Sequence, residues 1–182
     1  MRMTSSRHSS LDHIDLNILG MLYRNARVSK VQMSAEVGVS ASRCHERMQR
    51  LEQSGIIRGY HADVDLARLA SSLQFLVEIK LVDDMAARSR QFEKAVLKMP
   101  EVVSCRSVLG HIDYVIVVVA ASIERYGEVI AELRAQAGGE FSFVTFPISR
   151  VIKASGHGDL RLIVERLTVG RASAANESTE GS

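Results

Sequence analysis

Three groups of side chains in this 182-residue chain have types and spacings that could do chemistry. The first is a set of arginines, Arg43, Arg47 and Arg50, standing behind Ser40 and Ser42. Guanidinium forks and hydroxyls suit phosphate oxygens and base edges, although scattered arginines on a helix are also the usual solvated face. The second is Cys44 beside His45, a nucleophile and a base by residue type. Neighbouring helical residues project about 100° apart, so the two cannot form a working dyad. Cys44 then reads as core, and His45 either faces a groove or phosphate or is an ordinary exposed histidine. The third is the run Gly110, His111, Ile112, Asp113, Tyr114, whose glycine and aspartate are turn formers and whose tyrosine suits a strand. On residue types alone this is a hairpin. Asp113 and His111 have no nucleophile near them, which argues against an enzyme.

Metal and disulfide chemistry find little support. Cys44 and Cys105 are too few for a disulfide framework and lack the spacing of a zinc site, so both read as small buried hydrophobes. Asp63, Asp65, Asp83 and Asp84 are explained by caps and turns. No cofactor is expected.

The net charge of +2 hides an asymmetry. Residues 1–60 hold nine basic and five acidic side chains, and eight of the nine are arginine; residues 61–155 hold eleven and twelve. An arginine-weighted N-terminal third favours phosphate and guanine recognition. With 46% hydrophobic residues the chain can bury one or two small cores. No apolar run reaches the roughly 18 residues of a membrane span, and the polar start has no hydrophobic signal segment, so a cytoplasmic protein with no membrane partner is expected.

The elements that must position these groups fall into two patterns. Residues 11–55 have helical spacing. Asp12 caps a first helix carrying Ile14, Ile18, Leu19 and Leu22 on one face. Ser29 and Gln32 have capping-box spacing at the start of a second, which Gly38 stops. Ser40 caps a third, with Cys44, Met48 and Leu51 on its buried side, ending near Gly55. Ile56 to Tyr60 reads as a short extended strand, which completes a winged helix-turn-helix over residues 11–60. Residues 61–72 read as linker.

The second pattern alternates. Phe75, Val77, Ile79 and Leu81 share one face of a strand over 74–81. Asp84 caps a helix with Phe92, Val96 and Met99, and Pro100 ends it. Strands over 102–109 and 114–120 flank the turn, and the unbroken Val115 to Val119 run suggests cover on both faces. Ser122 starts a helix with Ile123, Tyr126, Ile130 and Leu133, and a last strand spans about 141–152. Pro147 needs a free edge or a bulge. The order β-α-β-β-α-β over residues 73–155 gives an antiparallel sheet with two helices on one face, a ferredoxin-like arrangement, so the whole is α+β. Its bare sheet face predicts burial against a second subunit. Residues 1–10 and 156–182 read as largely disordered tails, with Leu160, Leu162 and Ile163 able to pack on a neighbour.

The stretch LDHIDLNILGMLYRNARVSKVQMSAEVGVSASRCHERMQRLEQSGIIRGY resembles the DNA-binding half of the Lrp/AsnC family. SCRSVLGHIDYVIVVV resembles that family's effector-domain signature, a strand ending in Gly-x-x-Asp-Tyr, and TFPISRVIK its closing strand. The resemblance implies a transcription regulator whose C-terminal domain binds an amino acid or related small metabolite and whose dimers assemble further, up to octamers. It places double-stranded DNA against Ser40, Ser42, Arg43, His45, Arg47 and Arg50. It places the effector at Gly110, His111, Asp113 and Tyr114, with Ser107, Leu109 and Thr145 lining the pocket. His111 stands where many members carry an acidic residue after the glycine.

The reading is a sequence-specific DNA-binding regulator. Its rival is a ferredoxin-like metabolite-binding module whose helix-turn-helix contacts protein. RNA binding would call for exposed aromatic residues on the sheet, and the four tyrosines and five phenylalanines fall mostly at core-like positions.

Overall fold

The computed structural model describes residues 11–82, 86–153 and 159–164. The expected tail at 1–10, residues 156–158 and 165–182 of the expected tail at 156–182, and the expected caps Asp83 and Asp84 lie outside the described residues. The chain divides into two units, one of residues 1–62 with 153–182 and one of residues 63–152.

In the first unit, α1 (His13–Arg24) begins at a capping box in which the Asp15 amide donates to Asp12 and the Asp12 amide to Asp15. A second box, Ser29 with Gln32, starts α2 (Lys30–Val37). Its C-cap, Gly38, has φ +76°, a left-handed conformation that disfavours any side chain, so the chain turns sharply into α3 (Ala41–Gln53), capped by Ser40. Ile18, Met21, Met33, Cys44 and Leu51 form the buried core. The expected strand at 56–60 does not form: the amides of Ile56 and Ile57 both donate back to the Leu51 carbonyl, which folds the chain under the end of α3 instead of into a ladder. Tyr60 then donates to Glu52 Oε1 at 2.7 Å; burial first and the carboxylate second push its phenol up to about 12.

The C-terminal extension is not wholly irregular. Residues 160–164 are helical, with Asp159 Oδ1 accepting from the Leu162 amide, and Asp159, Leu160 and Arg161 border a cleft of about 340 Å³ with Leu16, Gly20 and Arg24 of α1.

In the second unit a short α4 (Leu66–Leu69) interrupts the expected linker. Then follow β1 (Leu73–Leu81), α5 (Ala86–Val96), β2 (Val102–Ser107), β3 (Tyr114–Ala120), α6 (Ile123–Gln136) and β4 (Phe141–Pro147). The sheet order is β2-β3-β1-β4, antiparallel throughout. Phe75, Val77, Ile79 and Leu81 of β1 and Tyr114, Ile116 and Val118 of β3 meet Phe92 of α5 and Val129, Ile130 and Leu133 of α6 in one core. β4 stops at Pro147, five residues short of the expected end; as an edge strand it tolerates a residue with no amide to donate.

Two expectations fail here. Val115, Val117 and Val119 are only partly covered, because they share the sheet's other face with Leu76, Val144 and Phe146, away from α5 and α6. Cys105 is exposed, because it lies on edge strand β2.

Candidate nucleic-acid interface and effector turn

The surface of α3 sorts its side chains by helical phase. Cys44 and Leu51 are buried and Met48 half-buried against α1 and α2, while Ser42, Arg43, His45, Glu46, Gln49 and Arg50 are exposed. At the N-terminal end Ser40 caps the helix through the Arg43 amide, and its hydroxyl lies 3.1 Å from that of Ser42. The two hydroxyls, Arg43 and His45 are thus exposed at the end of the helix that reaches bases in helix-turn-helix proteins.

The other two arginines do different work. Arg47 donates through Nη1 to both Asp12 carboxylate oxygens, at 2.8 and 2.7 Å, and to Asp15 Oδ1 at 2.8 Å. Arg50 donates through Nη2 to Asp15 Oδ2 at 2.6 Å. Asp15 is fully buried and is the one buried charged residue among the described residues. A buried carboxylate is tolerated only when paired and hydrogen-bonded, and here two guanidiniums do both. The Asp15 amide, followed by Arg47, holds the Asp12 carboxyl below the usual range, and Asp15 and then Asp12 push the Arg47 guanidinium up. Arg47, with a quarter of its side chain exposed, thus joins α3 to α1 rather than projecting to solvent. Arg50 keeps half its side chain exposed. The sequence spacing gave no sign of this, since the partners lie 32 to 35 residues apart. It also passed over Glu46 and Gln49, which the i, i+4 and i+7 positions from Ser42 would have placed on its exposed face.

The turn between β2 and β3 is held by Asp113. Its Oδ2 accepts from the Leu81 amide at 2.7 Å, its own amide donates to the Ile79 carbonyl, and Lys80 Nζ lies 3.5 Å from Oδ1. Both carboxylate oxygens thus tie the hairpin to the end of β1. Gly110 has φ +149°, and Leu109 and His111 are exposed. The remaining predicted residues do not gather around the turn within one chain. The Tyr114 side chain enters the core, its ring tilted against that of Phe92 and its hydroxyl donating to Glu93 Oε1 at 2.9 Å; burial is the main cause that raises its phenol. Ser107 is exposed opposite Tyr114 at the end of β2. Thr145 lies on the other sheet edge, paired in register with Val77, and its hydroxyl meets the Tyr126 phenol of α6.

A helix-turn-helix with an exposed third helix, followed in one chain by a βαββαβ unit with a locked, solvent-facing turn, defines a two-part DNA-binding regulator. The family described as winged helix-turn-helix DNA-binding matches residues 11–58, and the Lrp/AsnC ligand binding domain matches residues 74–156. The chain is 31% identical over 152 residues to the leucine-responsive regulatory protein of Haemophilus influenzae, covering 84% of this chain and 92% of that one. It is 32% identical over 152 residues to the proline dehydrogenase transcriptional activator of Rhizobium radiobacter, covering 84% and 97%. Among solved structures, a transcriptional regulator from Neisseria meningitidis in complex with L-Met superimposes with a TM-score of 0.72 at 26% identity, over 80% of this chain and 94% of that one. The chain belongs to the Lrp/AsnC family of transcription regulators. The protein-contact rival is not favoured by these relatives, which include a named transcriptional activator and a named transcriptional regulator. No helix among the described residues is long and apolar enough to cross a membrane.

Proposed function

We propose that this protein binds a pseudo-palindromic DNA site through α3 and that an amino acid or related metabolite changes that binding or the protein's assembly. The exposed N-terminal half of α3 carries the reading: Ser40, Ser42, Arg43 and His45 are presented to solvent, with Arg43 in no ion pair among the described residues. Ser40 and Ser42 lie nearest the bases, His45 meets the groove, and Arg43 and the exposed side of Arg50 take phosphates. Arg47 acts through the position of α3.

The open sheet face supports a homodimer. Leu76, Val117, Val144 and Phe146 form an apolar strip on the face away from α5 and α6, and a second copy covering it would remove that area from water. The dimer sets two recognition helices about 34 Å apart, one turn of DNA. Further assembly to tetramers or octamers would use the fully exposed Leu109 at the hairpin. The effector site is the turn at Gly110, His111 and Asp113, completed by Ser107 and Leu109 and by residues of a neighbouring subunit, since Tyr114 and Thr145 of the same chain are engaged elsewhere. Free amides take the effector carboxylate and Asp113, released from Lys80, its ammonium. The L-Met complex of the Neisseria relative supports an amino-acid ligand. The setting for such a protein is the cytoplasm.

The test is fluorescence anisotropy on DNA from upstream of the protein's own gene, with each amino acid added in turn. One amino acid is expected to shift DNA affinity, and DNA to shift that amino acid's affinity by the same factor. No shift with any amino acid would remove the effector half of the reading.

A further inference from the structure

We propose that base discrimination by this regulator resides in Gln49 and Glu46 of α3, Gln49 selecting adenine and Glu46 selecting cytosine at neighbouring base pairs. The proposal rests on the reading of α3 as the DNA-facing helix and adds which side chains do the reading. At about 100° per residue, Glu46 and Ser42 lie within about 30° of the direction opposite the buried Cys44, Met48 and Leu51, Gln49 and Arg50 about 50° to either side of it, and Arg43 and His45 farther out. Arg43 and Arg50 lie on the side toward Arg47, Asp12 and Asp15, and Arg50 is drawn that way by its ion pair with Asp15, whereas Gln49 on the other side has no side-chain partner among the described residues. A helix lying in a groove turns its central arc to the base edges and its flanks to the phosphate backbones. The arginines on this helix are therefore phosphate ligands or intramolecular partners, and the base edges meet a hydroxyl, a carboxylate and an amide.

Two of those three have a single well-matched base. The Gln49 amide presents one donor and one acceptor, the complement of adenine N6 and N7. Glu46 only accepts, so it is repelled by phosphates and matches the cytosine N4 amino group. It is exposed, and no ion pair neutralises it among the described residues. A free carboxylate at the centre of a DNA-facing surface costs affinity on every sequence that offers it no donor, which is what makes it selective. Three residues of helix separate the two side chains by about 4.5 Å of rise, close to the roughly 3.4 Å step between base pairs.

The experiment is selection of bound duplexes from a randomised library by the whole protein, for the wild type, Gln49→Ala and Glu46→Ala, with thermal melting of each variant. Both residues are solvent-exposed, so unchanged melting is expected. Gln49→Ala should flatten an adenine preference about tenfold at one position of each half-site, and Glu46→Ala a cytosine preference at the adjacent position, with other positions kept. Wild-type base profiles in both variants, or affinity lost evenly over all sequences, would overturn the assignment alone. A wild-type protein without preference at any position would overturn the regulator reading and this assignment with it.

Discussion

The two units of this protein are held together by different physics. The C-terminal unit buries eighteen side chains between one sheet face and two helices, among them Phe92, Ile116, Val129 and Leu133, with no buried charge among its described residues. The N-terminal unit buries five, Ile18, Met21, Met33, Cys44 and Leu51, and sets a fully buried carboxylate among them. Apolar burial is non-directional and forgiving in angle. A carboxylate shared by two arginines fixes one angle between two helices, and α1 and α3 are the helices whose angle decides how the DNA-facing surface is presented. A small core with a polar clamp thus gives up some stability and gains a defined orientation of the reading helix.

The contrast can be broken from either side. Phe92→Ala, which empties the centre of the larger core, should cost about 4 kcal/mol and appear in the unfolding of the C-terminal unit. Asp15→Ala removes the carboxylate that Arg50 pairs with and leaves Arg47 with Asp12 alone; because Arg50 is half-exposed and can rehydrate, about 2 kcal/mol is expected, confined to the N-terminal unit. Denaturant melting followed separately in each unit by amide exchange checks both assignments. If Asp15→Ala melts the whole chain at once, the two units are not independent.

Acid gives a smaller, graded version of the second test. The Asp12 carboxyl is lowered in the folded state, by the Asp15 amide first and Arg47 after it. Its contribution is therefore present above the unfolded carboxylate value near about pH 4 and is lost as the pH falls through the lower folded value. Glu101, lowered by the Arg125 guanidinium, has the same sign in the C-terminal unit, where a larger core backs it. Below about pH 4 the N-terminal unit should lose exchange protection first.

How much of this the sequence revealed follows the same division. Period-two alternation exposed the strand around Phe75 to Leu81 and an unbroken apolar run the one around Val115 to Val119, and caps at Asp12, Ser29, Ser40 and Ser122 marked four helix starts where the structure has them. Local pattern carries no information about partners three dozen residues away, so it could not show that Arg47 is held by Asp12 and Asp15 or that Arg50 pairs with Asp15. Thr145 and Tyr114 could not be placed because a strand position specifies a face only once its neighbours are known, and both turned toward α5 and α6. Gln49 and Glu46 were legible in principle, since helical phase alone sets them beside Ser42.

The most direct test of this account compares the salt dependence of DNA affinity for Arg43→Ala and Arg47→Ala, with the melting temperature of each. Arg43→Ala should leave melting unchanged, weaken binding on all sequences alike and flatten the salt slope by about one unit, the mark of one lost phosphate contact. Arg47→Ala should lower the melting temperature of the N-terminal unit, and at temperatures where it is folded keep the wild-type salt slope. An Arg47→Ala protein that melts like the wild type and loses the same unit of slope would show that the clamp is not what Arg47 is for.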